Sequence, residues 1–221
     1  MSTKHQRLFL STLALLLITS VLYAHVDDKL AGLPRTEIGW LYLKLGFEHI
    51  IPLGLDHILF VVCIYLLNPN LKTVIWQATA FTIAHSITLA LAMYGYIDPP
   101  SSLIEPMIAL SIFIVAVENI LTDKLRPARI VIVFIFGLLH GMGFAGVLTE
   151  LGLPTQEFVT ALVTFNVGVE LGQIAVILSC WVLFGVWFSK KAWYKNRVVI
   201  PVSAIIGLIA IYWTIERTFF Q

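Results

Sequence analysis

The chain has 221 residues, 59% of them hydrophobic and only 12% charged, with a formal net charge of +1. A mean hydropathy of +0.91 excludes an ordinary soluble domain, which needs far more polar surface, and points to an integral membrane protein. No basic cluster with interleaved aromatics is present, which argues against a nucleic-acid partner.

Residues 1–24 read as a signal peptide. Lys4, His5 and Arg7 make a basic start, Leu8 to Leu22 an apolar stretch short for a span, and Ala24 a small residue before a cleavage point. Left uncleaved, that stretch is an anchor and brings the apolar segments to seven. Cleavage makes His25 the first residue, offering an α-amine and an imidazole to one metal ion outside the membrane. Residues 25–46 then form an external lead-in, where Trp40, Tyr42 and Lys44 suit the membrane interface.

Six apolar segments follow, at about 47–67, 73–96, 103–122, 128–148, 157–188 and 197–216. At about 1.5 Å per residue each can cross a hydrocarbon core of about 30 Å. Turn-forming residues fall between them: Asn68-Pro69-Asn70, Asp98-Pro99-Pro100, Arg126-Pro127 and Gly152-Leu153-Pro154. Lys72, Lys124, Arg126, Arg129, Lys190, Lys191, Lys195 and Arg197 occupy alternate connections, whereas 97–102 and 149–156 contain no Lys or Arg. By the positive-inside rule the basic connections are cytoplasmic. The expected fold is an all-α, six-helix transmembrane bundle over residues 47–218, with both termini outside.

These spans carry groups that lipid rejects. The first holds Glu48, His49, Asp56 and His57, the second Thr82, His85, Ser86 and Thr88, and the third Glu118-Asn119. The fourth holds His140, and the fifth Asn166, Glu170 and Gln173. A charge at mid-span costs about 2.5–3.5 kcal/mol on insertion scales, so such groups are expected to face inward and to work. Counted from Asn68, Lys72 and Arg129, His57, His85 and His140 each lie about 16–20 Å above the cytoplasmic edge. Three histidines on three helices therefore share one layer near the midplane. His49 and Asp56, seven apart, face one way if the helix is continuous, and Asn166, Glu170 and Gln173 make one polar stripe. Gly137, Gly141 and Gly143 flank His140 and allow close helix approach.

Imidazoles and carboxylates without a thiolate suit nickel, cobalt, zinc, iron or manganese. Cys63 and Cys180 lie in apolar runs without CxxC spacing and read as packing residues. The expected metal ligands are His49, Asp56, His57, His85, His140 and Glu170, with Asp56 either a direct ligand or the partner of one. Accessory positions are His25, Glu48, Ser86, Glu118, Asn166 and Gln173, with Glu118 a further step on a path towards the cytoplasm.

The blocks "GFEHIIPLGLDHILF", "TAFTIAHSITLALA", "VENIL", "FGLLHGMGFAGVL" and "FNVGVELGQ", in order over about residues 46–173, resemble the HupE/UreJ family of bacterial membrane proteins, especially its second, shorter subgroup. The resemblance implies a multi-pass protein of the bacterial inner membrane and uptake of nickel or cobalt for hydrogenase and urease, and carries the family's histidine-acid motif onto His49, Asp56 and His57. After that motif the chain reads Ile58-Leu59-Phe60, where the nickel-permease branch has small residues and methionine, so the metal stays open.

Three function classes remain, the third being an accessory or structural protein. The first is a permease for a divalent transition-metal cation, served by a periplasmic or outer-membrane metal-delivery protein. The second is an intramembrane zinc-dependent hydrolase using His57, His85, His140, Asp56 and Ser86 to hold zinc and activate water.

Overall fold

The computed structural model describes residues 33–151 and 157–220, the side chains of 145–151 excepted. The expected signal peptide, His25 and the start of the lead-in lie outside the described residues. Within them the chain forms helices and connections, with no strand.

The helices are α1 (Arg35–Ile50), α2 (Leu55–Leu67), α3 (Leu71–Met93), α4 (Ser101–Leu121), α5 (Arg129–Leu151), α6 (Phe158–Cys180) and α7 (Ile200–Phe219). A π-helical turn at Trp181–Gly185 carries α6 on to Phe188, and another at Lys195–Val199 leads into α7. Local chemistry marks several starts. The Asn70 side chain accepts from the Thr73 amide at 3.1 Å to cap α3, as an N-cap should. Pro201 sits in the first turn of α7, directly after the π-helical turn at Lys195–Val199.

By length and composition α3, α4, α6 extended to Phe188, and α7 from Lys195 can each cross a membrane. The pair α1 and α2 passes the same test together, as a fifth, bent by 67°. Here the sequence reading needs correction, because residues 47–67 are not one continuous helix. Ile51 is extended, at φ −124° and ψ 114°, the conformation that a following proline imposes, and Pro52 has no amide to give the helix. Gly54 closes the break. Its amide donates to Ile50 O at 3.1 Å, and a Cβ there would stand 2.2 Å from His49 O, so only glycine fits.

The lead-in expected over 25–46 is, in its described part, the body of α1, packed lengthwise on α6. Glycines allow that approach. A Cβ on Gly168 would lie 2.1 Å from Leu43 O, and one on Gly46 1.9 Å from Phe165 O.

Three helix pairs, α1 with α6, α3 with α5 and α4 with α7, surround α2. Seven residues of α2 are buried: His57, Phe60, Val61, Cys63, Ile64, Tyr65 and Leu66. They occupy all sides of the helix, and a helix apolar all round belongs in the middle of a bundle. The outer helices are organised the other way. Ile83, Ile87 and Leu91 on α3, and Val159, Val163, Val167 and Leu171 on α6, are exposed at four-residue spacing. Such stripes suit a lipid-facing surface, whereas Thr82, His85, Asn166 and Gln173 of the same helices are buried.

Candidate metal centre

Four histidines converge where α1 breaks into α2. His49 lies in the last turn of α1 and His57 in the first turn of α2; their ring centroids are 4.7 Å apart. Eight residues of uninterrupted helix would hold them about 12 Å apart along its axis. The break brings them together. His85 of α3 stands 6.0 Å from His49 and 5.9 Å from His57, and His140 of α5 stands 4.9 Å from His57.

One ligating nitrogen from each of His49, His57 and His85 lies within 4.8 Å of the other two. The His49, His57 and His85 Nε2 atoms and His140 Nδ1 are buried without a hydrogen-bond partner. An unmade bond to a buried polar atom costs about 1–3 kcal/mol, so several lone pairs converging unsatisfied need an explanation. A metal ion supplies one.

The surroundings fix the state of at least one ring. Asn166 donates through Nδ2 to Leu162 O at 2.8 Å, which leaves its Oδ1 facing His85 Nδ1 at 3.3 Å. That oxygen can only accept, so His85 carries its proton on Nδ1 and presents a lone pair at Nε2. His140 is placed differently: its Nε2 meets the Ser111 hydroxyl at 3.3 Å. Aromatic walls close the site. The Phe144 ring is 3.9 Å from His49, and Phe81 lies 5.7 Å from His57 and 4.9 Å from His140. Gly141 lets α5 approach α3 at this level, since a Cβ there would lie 2.2 Å from His85 O.

Other expected site residues sit elsewhere. Asp56 does not share a face with His49, because the helix between them is broken; it pairs with Arg217 at 3.1 Å. Arg217 also reaches Glu105 at 3.2 Å. Glu170 takes hydroxyl bonds from Thr79 at 2.6 Å and Thr82 at 2.5 Å, and Gln173 Oε1 meets Thr82 at 3.1 Å. Glu48 pairs with Lys44 at 3.7 Å, and Glu118 with the buried Arg129 at 3.1 Å. The Ser86 hydroxyl donates to Thr82 O at 2.7 Å and makes no hydrogen bond to a histidine, so a serine-assisted hydrolase is not favoured. Both cysteines are free and buried, outside the imidazole group.

Sequence reasoning missed Arg217, Glu105, Ser111 and the buried role of Arg129. Arg217 left a signal: it is a basic residue at the end of the last span that the charge rule assigns to the outside. Arg129 left none, because its position in a basic connection looked explained.

No curated protein and no solved structure matches the chain. Its sequence matches the model for the HupE / UreJ protein family over residues 30–217, which takes in the four converging histidines and the break between them, and the chain belongs to that family.

Proposed function

We propose that this chain is a permease for a divalent transition-metal cation, nickel or cobalt, and that His49, His57 and His85 receive the ion. The family's association with nickel and cobalt transport supports the class of cargo. The observation that carries the reading is the convergence, across a broken helix, of three imidazole nitrogens with no other partner. Transporters hold substrate at such discontinuous helices, because irregular backbone at membrane depth is tolerated only where it lines a site. Three neutral imidazoles suit a borderline dication better than magnesium or calcium, which prefer oxygen.

In this reading α5 completes six spans, both mature termini face outside, residues 1–24 are a removable signal peptide, and the protein resides in the inner membrane. The ion arrives from the external side, handed over by a periplasmic or outer-membrane delivery protein, and is held by His49 from one side of the break and His57 from the other. Asn166 keeps His85 in the ligating tautomer. His140, against His57, can take part as the ion moves inward through its free Nδ1, while Nε2 keeps its bond to Ser111.

The test is uptake of nickel and cobalt by the full chain in proteoliposomes, with His57→Ala as control. Uptake by the wild type that is lost in H57A is expected. Equal uptake by both, or none by either, contradicts the proposal.

A further inference from the structure

Glu170 stands apart from the other carboxylates of the bundle's interior. Asp56 and Glu105 share Arg217, and Glu118 faces Arg129. Among the described residues Glu170 has no ion pair. It lies about 18 Å along the helix from Phe158, near the middle of the 31-residue run Phe158–Phe188, where an unpaired charge is costly.

Its neighbours are hydroxyls and an amide. Thr79 Oγ1 donates to Glu170 Oε1 at 2.6 Å. The single Thr82 proton has three acceptors in reach: Glu170 Oε2 at 2.5 Å, Gln173 Oε1 at 3.1 Å and Ala78 O at 3.2 Å. With Glu170 ionised, Thr82 donates to the carboxylate. With Glu170 protonated, the new O–H donates to Thr82 Oγ1, and the Thr82 proton turns to Gln173 or Ala78. Both states keep the carboxyl hydrogen-bonded, and one hydroxyl rotation separates them. These oxygens sit at hydrogen-bonding distances, with space between them for a proton and not for a metal ion. Thr79, Thr82, Ser86, Asn166 and Glu170 make the polar floor of a cavity of about 370 Å³ at the bundle surface, whose remaining walls are the apolar Ile83, Leu162, Val163 and Val167.

The helices packed on α6 bring other titratable groups. From α1 come Lys44 and Glu48, paired with each other, and His49; from α2 come Asp56, held by Arg217, and His57. From α3 come Lys72 at its cytoplasmic start and His85. None of them makes an ion pair or hydrogen bond with Glu170. The link to the metal centre runs through Asn166, one turn before Glu170 on α6 and in contact with His85.

We propose that Glu170 is the proton-binding site of the transport cycle, and that its proton and the metal ion exclude each other; this rests on the permease reading. Protonation transfers a proton from a hydronium to the carboxylate, leaving water and a neutral carboxyl. A dication arriving at the imidazoles, which Glu170 neighbours through Asn166 and His85, favours the ionised carboxylate and returns the proton to water. Metal moving inward is thereby exchanged for a proton moving outward.

The experiment needs no variant. Dicyclohexylcarbodiimide reacts with protonated carboxyls in apolar surroundings, and mass spectrometry locates the adduct on the full chain in liposomes. Labelling of Glu170 that rises on acidification and is lost on adding Co²⁺ is expected. Glu170 unlabelled at acid pH, labelling suppressed by sodium but indifferent to acid, or labelling blind to bound Co²⁺ overturns the inference. Cobalt binding is read in the same samples from visible absorption. Acid-dependent labelling in a sample that binds no cobalt therefore marks failure of the permease reading and leaves the proton site standing.

Discussion

Arg129 and His57 are both buried polar side chains on helices made almost wholly of apolar residues, and their surroundings differ in kind. The Arg129 guanidinium meets Glu118 at 3.1 Å, Asn119 Oδ1 at 3.1 and 3.2 Å and Cys63 O at 3.3 Å. Nearby, Lys195 bonds to Asn119 O and Thr122 O and pairs with Asp123. Opposite charges and acceptors are matched there, and of the guanidinium nitrogens only Nε lacks a partner. Around His57 the neighbours are other imidazoles and phenyl rings, and the free nitrogens have nothing to bond. The first cluster is satisfied but for that one nitrogen and ties α2, α4 and α5 together. The second is complete only with something added. A buried polar group that is satisfied reads as structure; several that converge unsatisfied read as a binding site.

Substitutions can break that contrast. Arg129→Met leaves Glu118 and the Asn119 side-chain oxygen unpaired, and removal of one partner of a buried pair costs about 3–5 kcal/mol. Thermal unfolding in detergent is expected to fall accordingly, with metal binding per folded molecule unchanged. His57→Phe should do the reverse. It keeps a ring and removes an orphaned nitrogen, so stability is expected to stay within about 1 kcal/mol, while cobalt affinity, read by visible absorption, falls by more than about 100-fold.

Smaller changes sharpen the boundary of the site. Asn166→Ala removes the acceptor that orients His85 and should cost about 10–100-fold in metal affinity, visible in the same titration. Arg217→Met unpairs Asp56 and Glu105 beside the helix break. The three side chains are partly exposed, so solvent screening limits the loss to about 1–2 kcal/mol in unfolding. Lys44→Ala, at an exposed pair one turn apart, should change stability by only about 0.2–0.5 kcal/mol and leave cobalt affinity as it was.

Much of this was legible in the sequence, for physical reasons. The apolar segments are long, their punctuation is proline and asparagine, and helix rise is constant, so placing His57, His85 and His140 at one depth needed only counting. Counting cannot find a bend. Pro52 and Gly54 were in view, but inside an apolar run they read as residues of a span, and His49 was set two turns above Asp56. The break moves His49 onto His57 and turns Asp56 towards Arg217, a partner 161 positions away. Glu170 shows the other limit. Its helical stripe with Asn166 and Gln173 was correct, but spacing gives the face of a residue and not its partner, and here the partners are threonines.

The central claim is that His49, His57 and His85 bind one divalent cation. X-ray absorption at the metal edge of the nickel- or cobalt-loaded full chain tests it most directly. The account predicts a nitrogen shell at about 2.0–2.1 Å with the outer scattering of three imidazoles, reduced to two in His85→Phe. A shell of oxygens alone, a sulfur ligand, or a spectrum unchanged by that substitution would contradict it.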